Sequence, residues 1–244
     1  MIIIVIINKM MNSLNNKPPK IIVYSVSTGG YDELKTPKVY DPNIRYILFT
    51  DNKYFKSDVW EVNHVDFVDN NLDNRRKARY LKINPHLVLP NHDISIWVDH
   101  CYVPRFDNSQ ELLNEINFFQ NDIMCYKHDV RHCIYSESEE VKLQGLDYPD
   151  IVNTQMKKYR IEGFPHNYGL FDSGFTIRKN NEKVNEFNDI WWSEVNNFSA
   201  RDQLSQVYSS WKTDIKIAPI PIGSSIYINK YLNPKIKHPK KWLI

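Results

Sequence analysis

Only seven glycines occur in 244 residues. So few exclude long glycine-rich linkers, and thirteen prolines do not supply them either. Cysteine is scarce too: Cys101, Cys125 and Cys133 are the full set. An odd, small number makes no disulfide framework, so a reducing compartment is expected and the cytoplasm with it. The opening apolar run, MIIIVII, stops after seven residues. A bilayer span takes about 20, so no transmembrane segment is expected there. The run also lacks the basic leader and small-residue cleavage site of a secretory signal. Charge of one sign is missing as well. Lys and Arg number 31 against 29 Asp and Glu, a net +2, which gives no general polyanion signal and no nucleic-acid partner.

What the chain has in quantity is aromatic side chains: fifteen Tyr, eleven Phe and six Trp. They suit a packed core, or stacking surfaces for sugars and bases. Residues 1–19 read as an N-terminal extension, either an added strand or disordered. Residues 20–244 read as one domain, with no repeat and no clear linker.

Within that domain strands alternate with helices, the pattern of an α/β fold with a largely parallel sheet. Ile21 to Val26 is a short apolar run, suited to a strand buried on both faces. Thr28-Gly29-Gly30 then turns the chain, and paired glycines allow positive φ or a close ligand. A second strand, RYILFT, ends in Asp51-Asn52. Asp73 or Asn74 caps a helix carrying Arg75, Arg79 and Lys82 on one face. Three cations in such a stripe suit either a diphosphate or plain solvent. In HDISIWVDHCY, Ile94, Ile96 and Val98 alternate with Ser95 and Trp97, and Asp99 arrives where the pattern stops. An aspartate at the carboxyl end of a strand either caps it or aims a charge into a ligand crevice.

Downstream, Ser109 to Phe119 reads as a helix, Asp122 to Tyr126 as a strand, and Tyr148 to Ile161 as a helix ended by Gly163. His128 and Arg131 fit a polar pocket or a solvent face better than a zinc site. Asp172-Ser173-Gly174 reads as a turn entering a strand. Val184 to Val195 reads as a helix, and the next helix is capped by Ser199, with Asp202 in its first turn. After Asp214 there is no acid, only Lys216, Lys230, Lys235, Lys237, Lys240, Lys241 and His238. A basic end of this kind suits an anionic ligand or a solvated terminus.

These segments, in this order, resemble the glycosyltransferase-like family of the plant TOD and MUCI proteins. The matching pieces are STGGYDEL, the FTD after the second strand, RRKARYLKINPH, SIWVD, HDVRHCIYSE, GLFDSGFTIR and WWSEVNNFSARDQLS. The resemblance implies a single GT-A-like (Rossmann-like) domain, α/β with a mixed, mostly parallel sheet flanked by helices. It also implies transfer of a sugar from a nucleoside-diphosphate-sugar, with a UDP-sugar favoured, to a hydroxyl on a glycan, protein or lipid. A more distant likeness to glycosyltransferase family 8 implies retention of configuration.

On that resemblance, Thr28, Gly29, Gly30 and Asp51 hold the nucleoside. Arg75, Arg79, Lys82, Ser173, Gly174 and Lys241 face the diphosphate and sugar, and Asp202 and Gln203 act at the anomeric carbon or acceptor. Asp99 binds a ribose, or binds Mn²⁺ or Mg²⁺ together with His238. The chain departs from the family 8 pattern at Asp99-His100-Cys101, where a second acid is missing. A metal-independent version, with the basic helix neutralising the diphosphate, is therefore equally open. A hydrolase and a non-catalytic glycan- or nucleotide-binding relative are the alternatives.

Overall fold

A computed structural model describes residues 17–30, 33–65, 72–220, 226 and 230–233. Its centre is a seven-stranded sheet. In chain order the strands are β1 (Ile21–Ser27), β2 (Arg45–Thr50), β3 (Glu61–His64), β4 (Ile94–Val98), β5 (Ile123–Lys127), β6 (Phe171–Lys179) and β7 (Ile217–Pro219). Their spatial order is β3-β2-β1-β4-β6-β5-β7. Pairing is parallel except on both sides of β6, which runs antiparallel to β4 and β5. The chain thus winds outward from β1 to β3, then returns to β1's other edge with β4. That reversal opens a crevice at the carboxyl ends of β1 and β4, where open α/β sheets hold ligands.

Seven helices are described: α1 (Asn74–Ile83), α2 (Pro85–Val88), α3 (Ser109–Glu115), α4 (Ile134–Leu143), α5 (Pro149–Ile161), α6 (Glu182–Asn197) and α7 (Gln203–Lys212). Asp73 caps α1 by accepting the Arg76 amide at 2.8 Å. Gly163, at φ +84°, ends α5 with the Phe164 amide on Tyr159 O. The helix expected over Ser109 to Phe119 stops at Glu115, because Asn117 turns left-handed at φ 55°. Ser199 does not cap α7. It is buried and donates to Asp147 Oδ2 at 2.7 Å. Asp202 takes the N-cap position, but its side chain bonds no helix amide. Elements with weaker signals, β3, β7 and α4, become visible only in the fold, β3 and β7 through their pairing with β2 and β5.

β1 is buried at all seven positions, so its two faces feed different cores. Ile21 and Val23 pack with Leu48, Ile96, Ile177 and the α3 side chains Leu112 and Leu113. Ile22, Tyr24 and Val26 pack with Ile47, Phe49, Leu81 of α1 and Trp97. A further core, with Val152, Tyr159, Trp191, Leu204 and Tyr208, holds α5, α6 and α7 against β5 and β7.

Because β6 is antiparallel, its start lies at β4's end, with Phe175 opposite Val98. Between β5 and β6 the register jumps: Cys125 faces Thr176, yet Tyr126 faces Asp172. Ser173, Gly174 and Phe175 therefore bulge from that pairing. Such irregularities re-aim side chains beside sites. Asp172-Ser173-Gly174, expected as a turn, is the opening of this strand.

Candidate active site

A cavity of about 490 Å³ lies at the carboxyl edge of β1 and β4. Val26, Ser27 and Thr28 from β1's end, Asp99 from β4's end and Asp172 and Ser173 from β6 form part of its lining. α1 contributes Arg75 and Arg79, the loop into α7 contributes Arg201 and Asp202, and α7 itself contributes Gln203. His128 and Arg131 line it too, where Arg131 Nε meets Glu137 Oε2 at 2.5 Å.

At the floor is Lys82. Only 1% of it is exposed, and long lysine stems reach back toward a helix's N-terminus. Its ammonium has three hydrogens and three partners. It donates to Asp202 Oδ2 at 2.7 Å, to Asp99 Oδ1 at 3.2 Å and to Ser173 Oγ at 3.1 Å. It also lies 5.3 Å from the Trp97 ring centre. Ser173 in turn donates to Asp202 Oδ2 at 2.9 Å, and the Trp97 indole donates to Asp99 Oδ1 at 2.7 Å. Arg79 Nε stands 3.0 Å from Asp202 Oδ1. Strand ends β4 and β6, helix α1 and the α7 entry are thus tied to one buried charge.

The expected three-cation stripe is accordingly not a uniform face. Lys82 is sunk between two carboxylates, Arg79 is paired, and Arg75 donates to Leu146 O at 2.8 Å. The backbone behind Lys82 is held just as firmly. Arg178, also 1% exposed, donates to Lys82 O at 2.6 Å, Ile83 O at 3.1 Å and Asn188 Oδ1 at 2.6 Å. Those carbonyls end α1, where the helix dipole favours a cation.

The three carboxyls differ in proton affinity. Burial alone would raise Asp202, but Arg79 and then Lys82 override it and hold it far below the usual carboxylate range. Burial likewise opposes ionisation of Asp99, and Lys82 and Arg79 lower it on balance. Asp172 goes the other way: burial raises it, its bond to the Gly174 amide offsets part, and Asp99's charge raises it further. Gly174 sits between these two acids. A Cβ there would be 3.0 Å from Asp172 Oδ1 and 3.3 Å from Asp99 Oδ2, so only glycine fits without displacing them.

Gly29 and Gly30 are left-handed, at φ 67° and 61°. The Gly29 amide donates to Asp51 Oδ2 at 2.7 Å, which links the ends of β1 and β2. Gln203 lines the cavity and donates to Phe171 O at 2.8 Å. His238 and Lys241 lie outside the described residues.

The two residues after Asp99 face inward. The Ser25 hydroxyl donates to Val98 O at 2.7 Å, so His100 Nδ1, 3.2 Å away, carries the proton between them. His100 Nε2 then accepts the Lys35 amide at 3.3 Å. Both ring nitrogens are engaged, and burial pushes this histidine's pKa down to about 4. Cys101 is buried among apolar neighbours. Asp99 Oδ1 already receives two hydrogens. Among the described residues no three metal-ligating side chains converge. These donors do not make the oxygen-rich set a divalent ion takes.

Arg201 was not among the expected site residues, and Asp172 was named only as part of the Asp172-Ser173-Gly174 turn. Arg201 stands directly before Asp202 and Gln203 in the sequence, and only proximity to α1 reveals its place.

The strand order, the antiparallel sixth strand and a cavity at the switch point define a single GT-A-like α/β domain. Residues 7–222 match the family described as "TOD1/MUCI70, glycosyltransferase-like domain", and the chain belongs to that family. The probable hexosyltransferase MUCI70 of Arabidopsis thaliana is 24% identical over 216 residues, which cover 76% of this chain and 36% of that protein. The chain therefore spans about a third of that relative's length. The apo structure of the bifunctional glycosyltransferase WbbM overlays on 84% of this chain and 39% of its own, at 12% identity and a TM-score of 0.49. Among the described residues no helix is long and apolar enough to cross a membrane.

Proposed function

We propose that this chain is a hexosyltransferase that moves a sugar from a nucleoside diphosphate, UDP favoured, to a hydroxyl acceptor. The observation that carries the reading is the Lys82 junction. One buried ammonium joins Asp99, Ser173 and Asp202 on the floor of the switch-point cavity. The nucleoside lies along Thr28, Gly29, Gly30 and Asp51. The diphosphate lies against the α1 wall of Arg75 and Arg79, and the sugar lies over Asp99, Ser173 and Gly174. Gln203 and Asp202 border the anomeric carbon. As the glycosidic bond breaks, charge gathers on the leaving diphosphate, and fixed cations lower that barrier because they need no reorganisation.

Asp202 holds Arg79 and Lys82 and orients sugar hydroxyls. A carboxylate this reluctant to take a proton is a poor general base. Proton exchange with the acceptor hydroxyl falls instead to Asp172, whose affinity for a proton is raised. Lys82 supplies a permanent cation between Asp99 and Asp202, and the proposed reaction is metal-independent. The likeness to the probable hexosyltransferase MUCI70 of Arabidopsis supports hexosyl transfer, and the acceptor is a glycan or another hydroxylated molecule.

A thermal-shift panel of UDP- and GDP-sugars, run in EDTA, tests this. One sugar nucleotide should raise the melting temperature, and slow release of its nucleotide should follow, unchanged by added Mn²⁺. Absence of any response, with or without Mn²⁺, refutes the transferase reading. Binding without release points to a non-catalytic relative.

A further inference from the structure

The cations of the cavity are not equivalent. Lys82 and Arg79 are already matched by Asp99 and Asp202. Arg131 is matched by Glu137 and Glu140. Arg201 is different. It lines the cavity and is half-buried, and its guanidinium makes no ion pair or hydrogen bond among the described residues. Its Nε is fully buried and has no partner. Arg201 is thus a cavity-lining cation with no carboxylate of its own among the described residues, which suits an anionic occupant.

The side chain is not loosely placed. The Arg201 amide donates to Ser199 Oγ at 3.2 Å, and Ser199 Oγ donates to Asp147 Oδ2 at 2.7 Å. Asp147 also accepts the Ala200 amide at 3.0 Å. Arg201 is therefore presented from a fixed loop immediately before α7, where the helix dipole is positive. It lies beyond ion-pair distance of Asp202, yet close enough to help lower that acid.

Arg75 is its neighbour across the cavity. Burial disfavours charge on Arg75, Asp147 partly compensates, and the nearby Arg201 and Arg79 repel it. Arg75, Arg79 and Arg201 on this wall thus stand near Asp99 and Asp202, with Lys82 and Asp147 buried behind it.

We infer that Arg201 and Arg75 form an anion clamp, and that its ligand is the donor's diphosphate. This rests on the transferase reading above. Two adjacent guanidiniums match two linked phosphates, each offering oxygens in the two-point geometry guanidinium prefers. Position agrees. α1 begins against the strand-end turn assigned to the nucleoside, since a Cβ on Gly29 would lie 3.5 Å from the side-chain Nδ2 of Asn74. Arg75 is the next residue. A diphosphate leaving that turn meets Arg75 first and Arg201 opposite it, while Arg79 and Lys82 hold the floor.

Titration calorimetry in EDTA with uridine, UDP and inorganic pyrophosphate tests the clamp. Arg201→Gln should weaken UDP and pyrophosphate by about 10- to 100-fold, the worth of charge-assisted bonds. It should leave uridine unchanged. Arg201→Lys should fall between, since it keeps charge and loses the two-point fork. Arg45→Gln, an exposed arginine paired with Glu61, should change none of them. If Arg201→Gln folds and binds UDP and pyrophosphate within twofold of the wild type, the clamp is overturned and the transferase reading stands. If it does not fold, Arg201→Lys decides: wild-type pyrophosphate affinity overturns the clamp. Pyrophosphate held through Arg201 in a protein that answers to no sugar nucleotide supports the clamp and overturns the transferase reading.

Discussion

Replacing Lys82 by Met tests the centre of the site most directly. Methionine keeps the length of the stem and its apolar contacts but removes the ammonium. Three donations end at once, to Asp202, Asp99 and Ser173. Asp202 is 3% exposed, so its charge would stay buried with one of its two cations gone. Breaking a buried pair from one side costs about 3–5 kcal/mol. Arg79 remains on Oδ1, which puts the loss near the lower end, about 3 kcal/mol. For a chain of this size that lowers the melting temperature by roughly 6–12 °C.

Lys82→Met combined with Asp202→Asn removes both charges. The double variant should lose less than the two single losses added, by about 1–3 kcal/mol, in urea unfolding. The pH dependence has a defined sign. Asp202 is depressed in the folded state, so its contribution is present above the unfolded value of about 4 and is lost as pH falls below it. The gap between wild type and Lys82→Met should therefore open above about pH 4 and narrow below it. Additive losses, or a gap that ignores pH, would show that the junction is not the electrostatic unit described.

Two further perturbations probe its surroundings. Gly174→Ala brings a methyl to 2.7 Å from Ile226 Cδ1 and 3.0 Å from Asp172 Oδ1, so the acids must move. Turnover should fall about 10- to 100-fold in a folded protein, and wild-type kinetics would contradict the placement of Asp99 at the sugar and of Asp172 at the acceptor hydroxyl. His100 is neutral in the fold, at about 4, whereas the unfolded chain takes the proton near about 6.5. Its contribution is thus full above about pH 6.5 and falls by about 3 kcal/mol as pH drops to about 4. His100→Gln should flatten that stretch of the stability curve measured by denaturant titration, and an unchanged slope would sink the assignment.

Much was legible in the sequence by itself. Local pattern is enough for β1, β2 and β4, because apolar runs bounded by polar turns declare buried strands. The α1 cap at Asp73 and the Gly163 stop are likewise local chemistry. Motif order pointed to the family, and the match over residues 7–222 agrees. Asp99, Ser173, Asp202, Arg79 and Lys82 were named from the chain, and the fold brings all five together.

Their relations were decided by tertiary structure alone. Spacing puts Arg75, Arg79 and Lys82 on one helix face, yet it says nothing of what that face meets. Depth below the sheet edge turns Lys82 into a buried counter-ion and leaves Arg75 at the cavity wall. Reversed direction in β6, invisible in a strand's own residues, is what carries Ser173 and Asp172 to Asp99. Ser199, read as a cap, is drawn instead to Asp147, 52 positions earlier in the chain. Arg201 stood in the quoted segment SARDQLS, but its lack of an ion pair could not be read there, because pairing is a property of its surroundings. Composition and period report which residues seek the interior, but charge pairing depends on distances between segments far apart in the chain, and only the folded packing sets those.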